Sequence, residues 1–173
     1  RLETAVSHIT TTPQNVQIET NRGTFRASRV IITLPLGVLK SGKILFDPPL
    51  PAAKQQAIQR IGFGNYEKLA MRFDDFYRPQ GRQRLKYLRS GEPSLFHAWL
   101  NTGHYTGTPI IVAYHAGRRA CKINEWSDDE LLAHTLAVMQ RIFGDNGFGQ
   151  IPAPQATVRS RWQSDPFSLG SYS

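Results

Sequence analysis

The chain has 173 residues, which is enough for one domain or parts of two and for a sizeable buried core. Apolar residues make up 40% of it and charged residues 20%, as in a globular protein. Lys and Arg number 21 against 13 Asp and Glu, and the resulting net charge of +8 permits acidic partners without establishing one. The single cysteine, Cys121, excludes an internal disulfide and a cysteine-based zinc site.

No metal site, membrane span or nucleic-acid site is predicted. The five histidines show no ligand spacing of the HExxH type. No apolar run is long enough to cross a bilayer and no signal peptide is recognisable, so the compartment stays open with the cytoplasm favoured. The densest basic stretch suits a solvated loop and edge strand better than nucleic acid. Its cations and tyrosines are Arg78, Arg82, Arg84, Lys86, Arg89, Tyr77 and Tyr87.

The first part of the chain predicts strands followed by a helix. Three short alternating segments, separated by turns, predict a β-meander. These segments cover residues 4–9, 16–19 and 24–26. The β-branched run Val30–Leu34 is typical of a strand buried on both faces, and an unpaired strand of this kind leads us to expect self-association. A proline-rich connector then leads to a predicted helix over 51–61 with an apolar face.

A Gly-X-Gly turn at 62–64 is followed by a run with the period of a half-buried strand. Its odd positions, 69, 71 and 73, carry Leu, Met and Phe, and its even positions carry Lys68, Ala70 and Arg72. An exposed lysine in such a strand is most often a solvated edge residue. Lys68 differs from an arbitrary lysine because it lies at the first turn of the strand, where its side chain can be aimed.

The second part of the chain predicts further strands and one long helix. We expect strands near 85–88, 95–100, 110–114 and 157–162. The sequence Ser127-Asp-Asp-Glu130 has the form of a capping box, and the helix it begins is expected to end at Gly144. Three aromatic residues lie in the terminal stretch, where ordinary packing is as good an interpretation as a role in binding.

Three stretches, in the same order and register, resemble the flavin-containing amine oxidases. They are VIITLPLGVLK at 30–40, FDPPLP at 46–51 leading to Lys68, and SRW at 160–162 with DP at 165–166 and GSYS at 170–173. The resemblance covers nearly the whole chain and is closest to the polyamine oxidase and lysine-specific histone demethylase branch. It implies an α+β (α/β) fold: a substrate-binding domain with a mixed sheet flanked by helices over 39–157, and parts of a dinucleotide-binding FAD domain at 1–38 and 158–173.

The resemblance also implies roles for single residues. Lys68 matches the family lysine that holds a water on flavin N5 and is the predicted catalytic residue. The predicted FAD-binding residues are Val6 at the adenine, Thr33, Leu34 and Pro35 at a strand end against the cofactor, and Trp162, Phe167 and Tyr172 near the isoalloxazine. Trp162 and Tyr172 are also the predicted substrate-binding residues, since aromatic faces attract a cation.

The implied activity is FAD-dependent oxidation of a C–N bond of an amine, with a polyamine favoured, to an imine while O2 is reduced to H2O2. Two alternatives stay open: a histone lysine demethylase of the same fold, and a non-catalytic module whose basic surface binds an acidic partner. The chain begins without methionine and lacks the Gly-rich fingerprint that binds the FAD pyrophosphate. We therefore expect a piece of a longer enzyme that neither holds FAD nor acts alone.

Overall fold

The computed structural model describes residues 2–74, 84–86 and 98–172. The chain divides into two compact units, Arg1–Phe63 with Asp165–Ser173, and Gly64–Ser164. Each unit has its own sheet and its own buried residues, and the predicted α+β class is confirmed. The boundaries at 63/64 and 164/165 differ from the crossings expected at 38/39 and 157/158, and the assignment of these parts to FAD and to substrate stays a prediction.

The first unit is built on a four-stranded sheet with two helices. Its elements are β1 (Val6–Thr11), β2 (Val16–Thr20), β3 (Gly23–Ala27), α1 (Leu36–Ser41), β4 (Leu45–Asp47) and α2 (Ala52–Arg60). The sheet order is β3-β2-β1-β4, and the first three strands form the antiparallel meander predicted from the turns. Strand β4 runs parallel to β1 and pairs Phe46 with Ile9, because α1 returns the chain to the same end of the sheet.

One prediction for this unit is wrong. The run Val30–Leu34 forms no strand, and Ile31 is 90% exposed. A β-branched run becomes a buried strand only where neighbouring strands bond its backbone, and no strand in the described ranges pairs with it. The self-association expected from such a strand stays a prediction. The predicted helix is confirmed, since α2 lies within one residue of its expected bounds, and none of its residues is fully buried.

The second unit contains a five-stranded sheet and most of the helices. Its elements are β5 (Tyr66–Arg72), β6 (Arg84–Lys86), β7 (Ala98–Asn101), α3 (Gly103–Thr106), β8 (Ile110–Ala116), α4 (Arg118–Ile123), α5 (Asp128–Met139), a π-helix (Gln140–Phe148) and β9 (Ala156–Arg159). The strand order is β6-β7-β8-β5-β9, and every pairing is antiparallel. Strand β5 therefore lies in the interior of the sheet, between β8 and β9.

The core of this unit lies between one face of the sheet and the helices. Leu69 and Met71 of β5, and Phe73 directly after it, are buried in this core, as the alternation of the sequence predicts. Residues of α5 and the π-helix complete the core, and Trp99 meets Phe143 edge to face with ring centroids 6.0 Å apart. The other face of β5 is left free of this core and carries Lys68.

The capping box that begins α5 is confirmed. The Ser127 hydroxyl accepts the backbone N–H of Glu130, and the Glu130 carboxylate accepts the backbone N–H of Ser127. The α-helix ends at Met139 and not at Gly144, because the chain continues as a π-helix.

A buried guanidinium joins β9 to this helical layer. The side chain of Arg159 is 4% exposed and donates to the carbonyl oxygens of Ile123 (3.0 Å) and Trp126 (2.8 Å) and to Asp128 (3.1 Å). These acceptors lie at the end of α4 and the start of α5, where carbonyl groups lack partners within the helix. Arg159 therefore fixes the α4–α5 connection against the last strand.

Candidate active site

Lys68 lies in the interior strand of the second sheet with its side chain exposed. The burial of the β5 residues alternates, and Lys68 lies on the face opposite Leu69 and Met71. Because β5 is paired on both sides, by β8 and by β9, its backbone is fixed. The predicted orientation of Lys68 is therefore confirmed, and Lys68 is not the edge-strand lysine of the alternative interpretation.

Two tyrosines share this face with Lys68. Tyr114 of β8 is the direct partner of Lys68 in the ladder, so the two side chains lie on the same side of the sheet. The ring of Tyr66 lies 5.5 Å from that of Tyr114, centroid to centroid, at an interplanar angle of 34°. We call the surface formed by Tyr66, Lys68, Ala70, Val112 and Tyr114 the open face. Its aromatic and aliphatic surface suits an amine with an apolar chain, and the Lys68 ammonium group adds a hydrogen-bond donor beside it.

Lys68 is also joined through its backbone to the segment that carries Trp162. Its N–H donates to the Ser160 hydroxyl oxygen at 2.8 Å, and the Ser160 N–H donates to its carbonyl oxygen at 2.9 Å. Trp162 follows two residues later and is exposed. Lys68 and Trp162 are thus two predicted site residues of the same unit, and hydrogen bonds between β5 and the segment after β9 join the parts of the chain that carry them.

Glu67, the residue before Lys68, also binds the segment that carries Trp162, and the sequence analysis missed it. Glu67 is 3% exposed, and its carboxylate accepts the Ser160 hydroxyl and, at 3.3 Å, the backbone N–H of Gln163. The Gln163 side-chain oxygen in turn accepts amide N–H groups of Asn65 (3.1 Å) and Asn124 (2.8 Å). A signal was available: Glu67 occupies the buried phase of the alternation, where a charged residue calls for a specific partner.

The six other predicted site residues belong to the first unit. Val6 begins β1 and is half-buried. Thr33, Leu34 and Pro35 directly precede α1, and Pro35 has the extended backbone of its N-cap, with φ −56° and ψ 146°. Thr33 and Pro35 are exposed. These three residues were predicted to lie at the end of a buried strand. The described chain forms no strand there, and the three residues instead lie directly before helix α1.

Phe167 and Tyr172 lie in the terminal segment of the same unit and are both exposed. The segment is folded by Asp165, whose side chain accepts the N–H of Phe167 at 2.8 Å and whose carbonyl accepts the N–H groups of Ser168 and Leu169. It packs on α1 at Gly37, which has no side chain to obstruct the contact. The Asp-Pro and Gly-Ser-Tyr sequence signals thus belong to one anchored turn that leaves two aromatic rings at the surface.

Two features are absent from the described ranges. No group of three His, Cys, Asp or Glu residues there is arranged to hold a metal ion. No helix in those ranges is long and apolar enough to cross a membrane. The basic stretch from Arg78 to Arg89 lies outside the described residues, apart from the backbone of β6.

The whole chain, residues 1–173, matches the family model described as flavin containing amine oxidoreductase. The chain belongs to this family. Proteins named as polyamine oxidases and proteins named as lysine-specific histone demethylases are both similar to it. Polyamine oxidase 4 of Oryza sativa subsp. japonica is 36% identical over 174 residues, covering 100% of this chain and 34% of that protein. Lysine-specific histone demethylase 1 homolog 1 of the same plant is 36% identical over 160 residues, covering 90% of this chain and 18% of that protein.

The fold is likewise that of a flavin-containing amine oxidoreductase. The solved structure of wild-type putrescine oxidase bound to putrescine superposes with a TM-score of 0.76 at 24% identity, covering 98% of this chain and 36% of that one. The chain therefore spans between about a fifth and a third of the length of the relatives it matches. The membership predicted from the three sequence stretches is confirmed, while the roles of the single site residues stay predictions.

Proposed function

We propose that the protein acts as an FAD-dependent oxidase of amines, with a polyamine as substrate. The observation that carries the proposal is the exposed Lys68 on an interior strand, at the position that matches the family lysine. The adjoining rings of Tyr66 and Tyr114 support it, because they offer a surface to the apolar chain of an amine. Family membership supports the reaction class, and the choice of a polyamine is the finer part of the proposal.

The residues assigned to FAD fit that group in their chemistry. They present exposed aromatic residues at Phe167 and Tyr172 and exposed residues at Thr33 and Pro35, and a flat ring system is bound by such surfaces. Val6 would hold the adenine through its backbone. When bound, FAD supplies the two-electron oxidation of the amine C–N bond to an imine, with O2 reduced to H2O2.

The chain's own residues would bind the amine and a water molecule and orient them. Lys68, through its ammonium N–H groups, would hold a water molecule in place at the reacting centre, and the pairing of β5 on both sides fixes the backbone from which this side chain extends. Trp162 and Tyr172 would each offer a ring face to the amine, and such faces contact an apolar chain and attract residual positive charge. The protein thus contributes position and electrostatics, while the oxidation itself belongs to the cofactor.

The test measures H2O2 release by the full-length protein with spermidine and with a dimethyl-lysine histone-tail peptide. We expect flavin absorbance in the purified protein and faster peroxide release with spermidine. Turnover of the peptide alone would reassign the substrate to the demethylase branch, for which the 36% identity to a named demethylase is the supporting observation. Turnover of neither amine by flavin-loaded protein would refute the proposed function.

A further inference from the structure

Glu67 is a buried carboxylate for which the proposed reaction has no direct use. Its side chain points away from the open face, because Glu67 lies on the same face of β5 as Leu69 and Met71. An apolar residue would fill this position at a lower desolvation cost, since burial of a charge is unfavourable unless it is hydrogen-bonded. The use of a carboxylate here therefore calls for an explanation in terms of the groups it binds.

Those groups lie on either side of Trp162. One carboxylate oxygen accepts the Ser160 hydroxyl, and the other accepts the Gln163 N–H at 3.3 Å. A single side chain thus holds the residue two positions before Trp162 and the residue directly after it. The carboxylate therefore restrains the segment at two points, in addition to the bonds that Arg161 makes with Asp128.

The same segment is tied to Lys68 by a second route. The Ser160 hydroxyl that donates to Glu67 also accepts the N–H of Lys68 at 2.8 Å, so one hydroxyl links the two neighbouring residues of β5 to the start of the Trp162 segment. At the other end, the Gln163 side chain is held by two asparagine amides. Residues 160–163 are therefore fixed at both ends to residues 65–68.

We propose that Glu67 is a positioning residue that sets the place of Trp162 relative to Lys68 from the opposite side of the strand. This role rests on the proposed function, because it matters for turnover only if Trp162 binds the amine and Lys68 acts at the reacting centre. Through Ser160 and Gln163, the carboxylate restrains the backbone that carries the Trp162 ring. Small misplacements of a substrate-binding group reduce rate strongly, so the loss of this contact affects amine oxidation even where the fold persists.

The test uses the full-length protein labelled with 5-fluorotryptophan, with the Trp162 resonance assigned by its absence in Trp162→Phe. The variants are Glu67→Gln, which keeps the shape of the side chain, and Ser160→Ala, which removes the linking hydroxyl. Ser160→Thr retains a hydroxyl and serves as the rescue variant. Ser127→Ala is the matched control, because it removes hydroxyl bonds of the α5 cap in the same unit and alters none of the residues that join 65–68 to 160–163.

We expect Glu67→Gln and Ser160→Ala to shift or broaden the Trp162 resonance while those of Trp99 and Trp126 keep their wild-type positions. The ratio kcat/KM for the amine should fall about 10-fold or more in both variants. Ser160→Thr should restore both properties, and Ser127→Ala should change neither.

An unchanged Trp162 resonance in Glu67→Gln would overturn the proposal, whether or not stability falls. The proposal would also be overturned if Ser127→Ala lost as much kcat/KM as Ser160→Ala, because the loss of rate would then follow from reduced stability alone. The proposed function fails separately: if wild-type protein turns over no amine, the fluorine resonances still decide whether Glu67 positions Trp162.

Discussion

The carbonyl oxygen of Ser168 lies 2.5 Å from the point that a β-carbon would occupy on Gly37. The Leu169 carbonyl oxygen lies 2.6 Å from the same point and a ring carbon of Phe63 2.8 Å from it, so the neighbours are mainly backbone and cannot rotate away. Gly37→Ala must therefore separate α1 from the terminal turn. We expect the free energy of unfolding in urea to fall by about 1–3 kcal/mol.

The chain offers a matched control for this substitution in Gly62, which belongs to the same unit. A β-carbon on Gly62 meets no heavy atom within 4 Å. Gly62→Ala should leave stability unchanged or raise it by about 0.4–1 kcal/mol, because alanine restricts the unfolded chain. Equal destabilisation by both substitutions would contradict the close approach at Gly37.

The proposed role of Lys68 predicts the effect of removing its ammonium group. Lys68→Met keeps most of the length of the side chain and should leave folding nearly intact. We expect turnover of the amine to slow by about 10-fold or more, which corresponds to about 1.4 kcal/mol of lost transition-state stabilisation. Stopped-flow measurement of flavin reduction and reoxidation in the full-length protein gives the two rates.

Arg72 provides the control for Lys68, since it is an exposed cation on the same face of the same strand. Arg72→Met removes one positive charge from β5, as Lys68→Met does, at a site with no assigned role. Its rates should equal those of the wild type. If Lys68→Met also keeps wild-type rates in both half-reactions, Lys68 is a solvated lysine and its assignment is wrong.

The parts of the site that follow from local patterns were predictable, and those that depend on distant partners were not. The alternation from Lys68 to Phe73 and the capping box at Ser127 involve neighbours within a few positions, and both predictions are confirmed. The strand at Val30–Leu34 required partners that composition cannot specify, and none of the described strands supplies them. The bond between Glu67 and Ser160 joins residues 93 positions apart, which no periodicity reveals.

Two arginines that bind the same carboxylate should differ sharply in their contribution to stability. Arg159 is 4% exposed and saturates two carbonyl oxygens as well as Asp128, whereas Arg161 is 52% exposed and bonds Asp128 alone. Arg159→Met removes the side-chain donor of the Trp126 carbonyl and one of the two donors of the Ile123 carbonyl, which also accepts the Trp126 N–H, and should cost about 1–3 kcal/mol in urea unfolding.

Arg161→Met is the control for this comparison, and it should change the free energy of unfolding by less than about 1 kcal/mol, as expected for an exposed ion pair. Comparable losses from the two arginine variants would show that the carbonyl contacts of Arg159 contribute little to the stability of the unit.

The cap of α5 predicts a dependence of stability on pH. The Glu130 pKa lies below its ordinary value, first because of the hydrogen bond from the Ser127 backbone, then because of the Ser127 hydroxyl and, to a smaller extent, the neighbouring His134. A carboxyl whose pKa is lowered by folding stabilises the folded state above its unfolded pKa, and this contribution is lost as the pH falls through the folded value.

Glu130→Gln isolates this contribution because it keeps the shape of the cap but does not titrate. Thermal unfolding between neutral pH and about pH 3 should show wild type more stable at neutral pH and the two proteins converging in acid. A difference between the two melting temperatures that stays constant across the series would show that ionisation of Glu130 is not linked to folding.

The place of β5 in its sheet has a consequence for protein synthesis. The strand is synthesised before its β9 partner, and Ser160, which binds the backbone of Lys68, follows Lys68 by 92 positions. At about 5–20 residues per second, translation of that interval lasts about 5 to 20 seconds. During this time one edge of β5 lacks its final partner, and such an edge can recruit other chains. The bonds between Lys68 and Ser160 can form only when this interval has been translated.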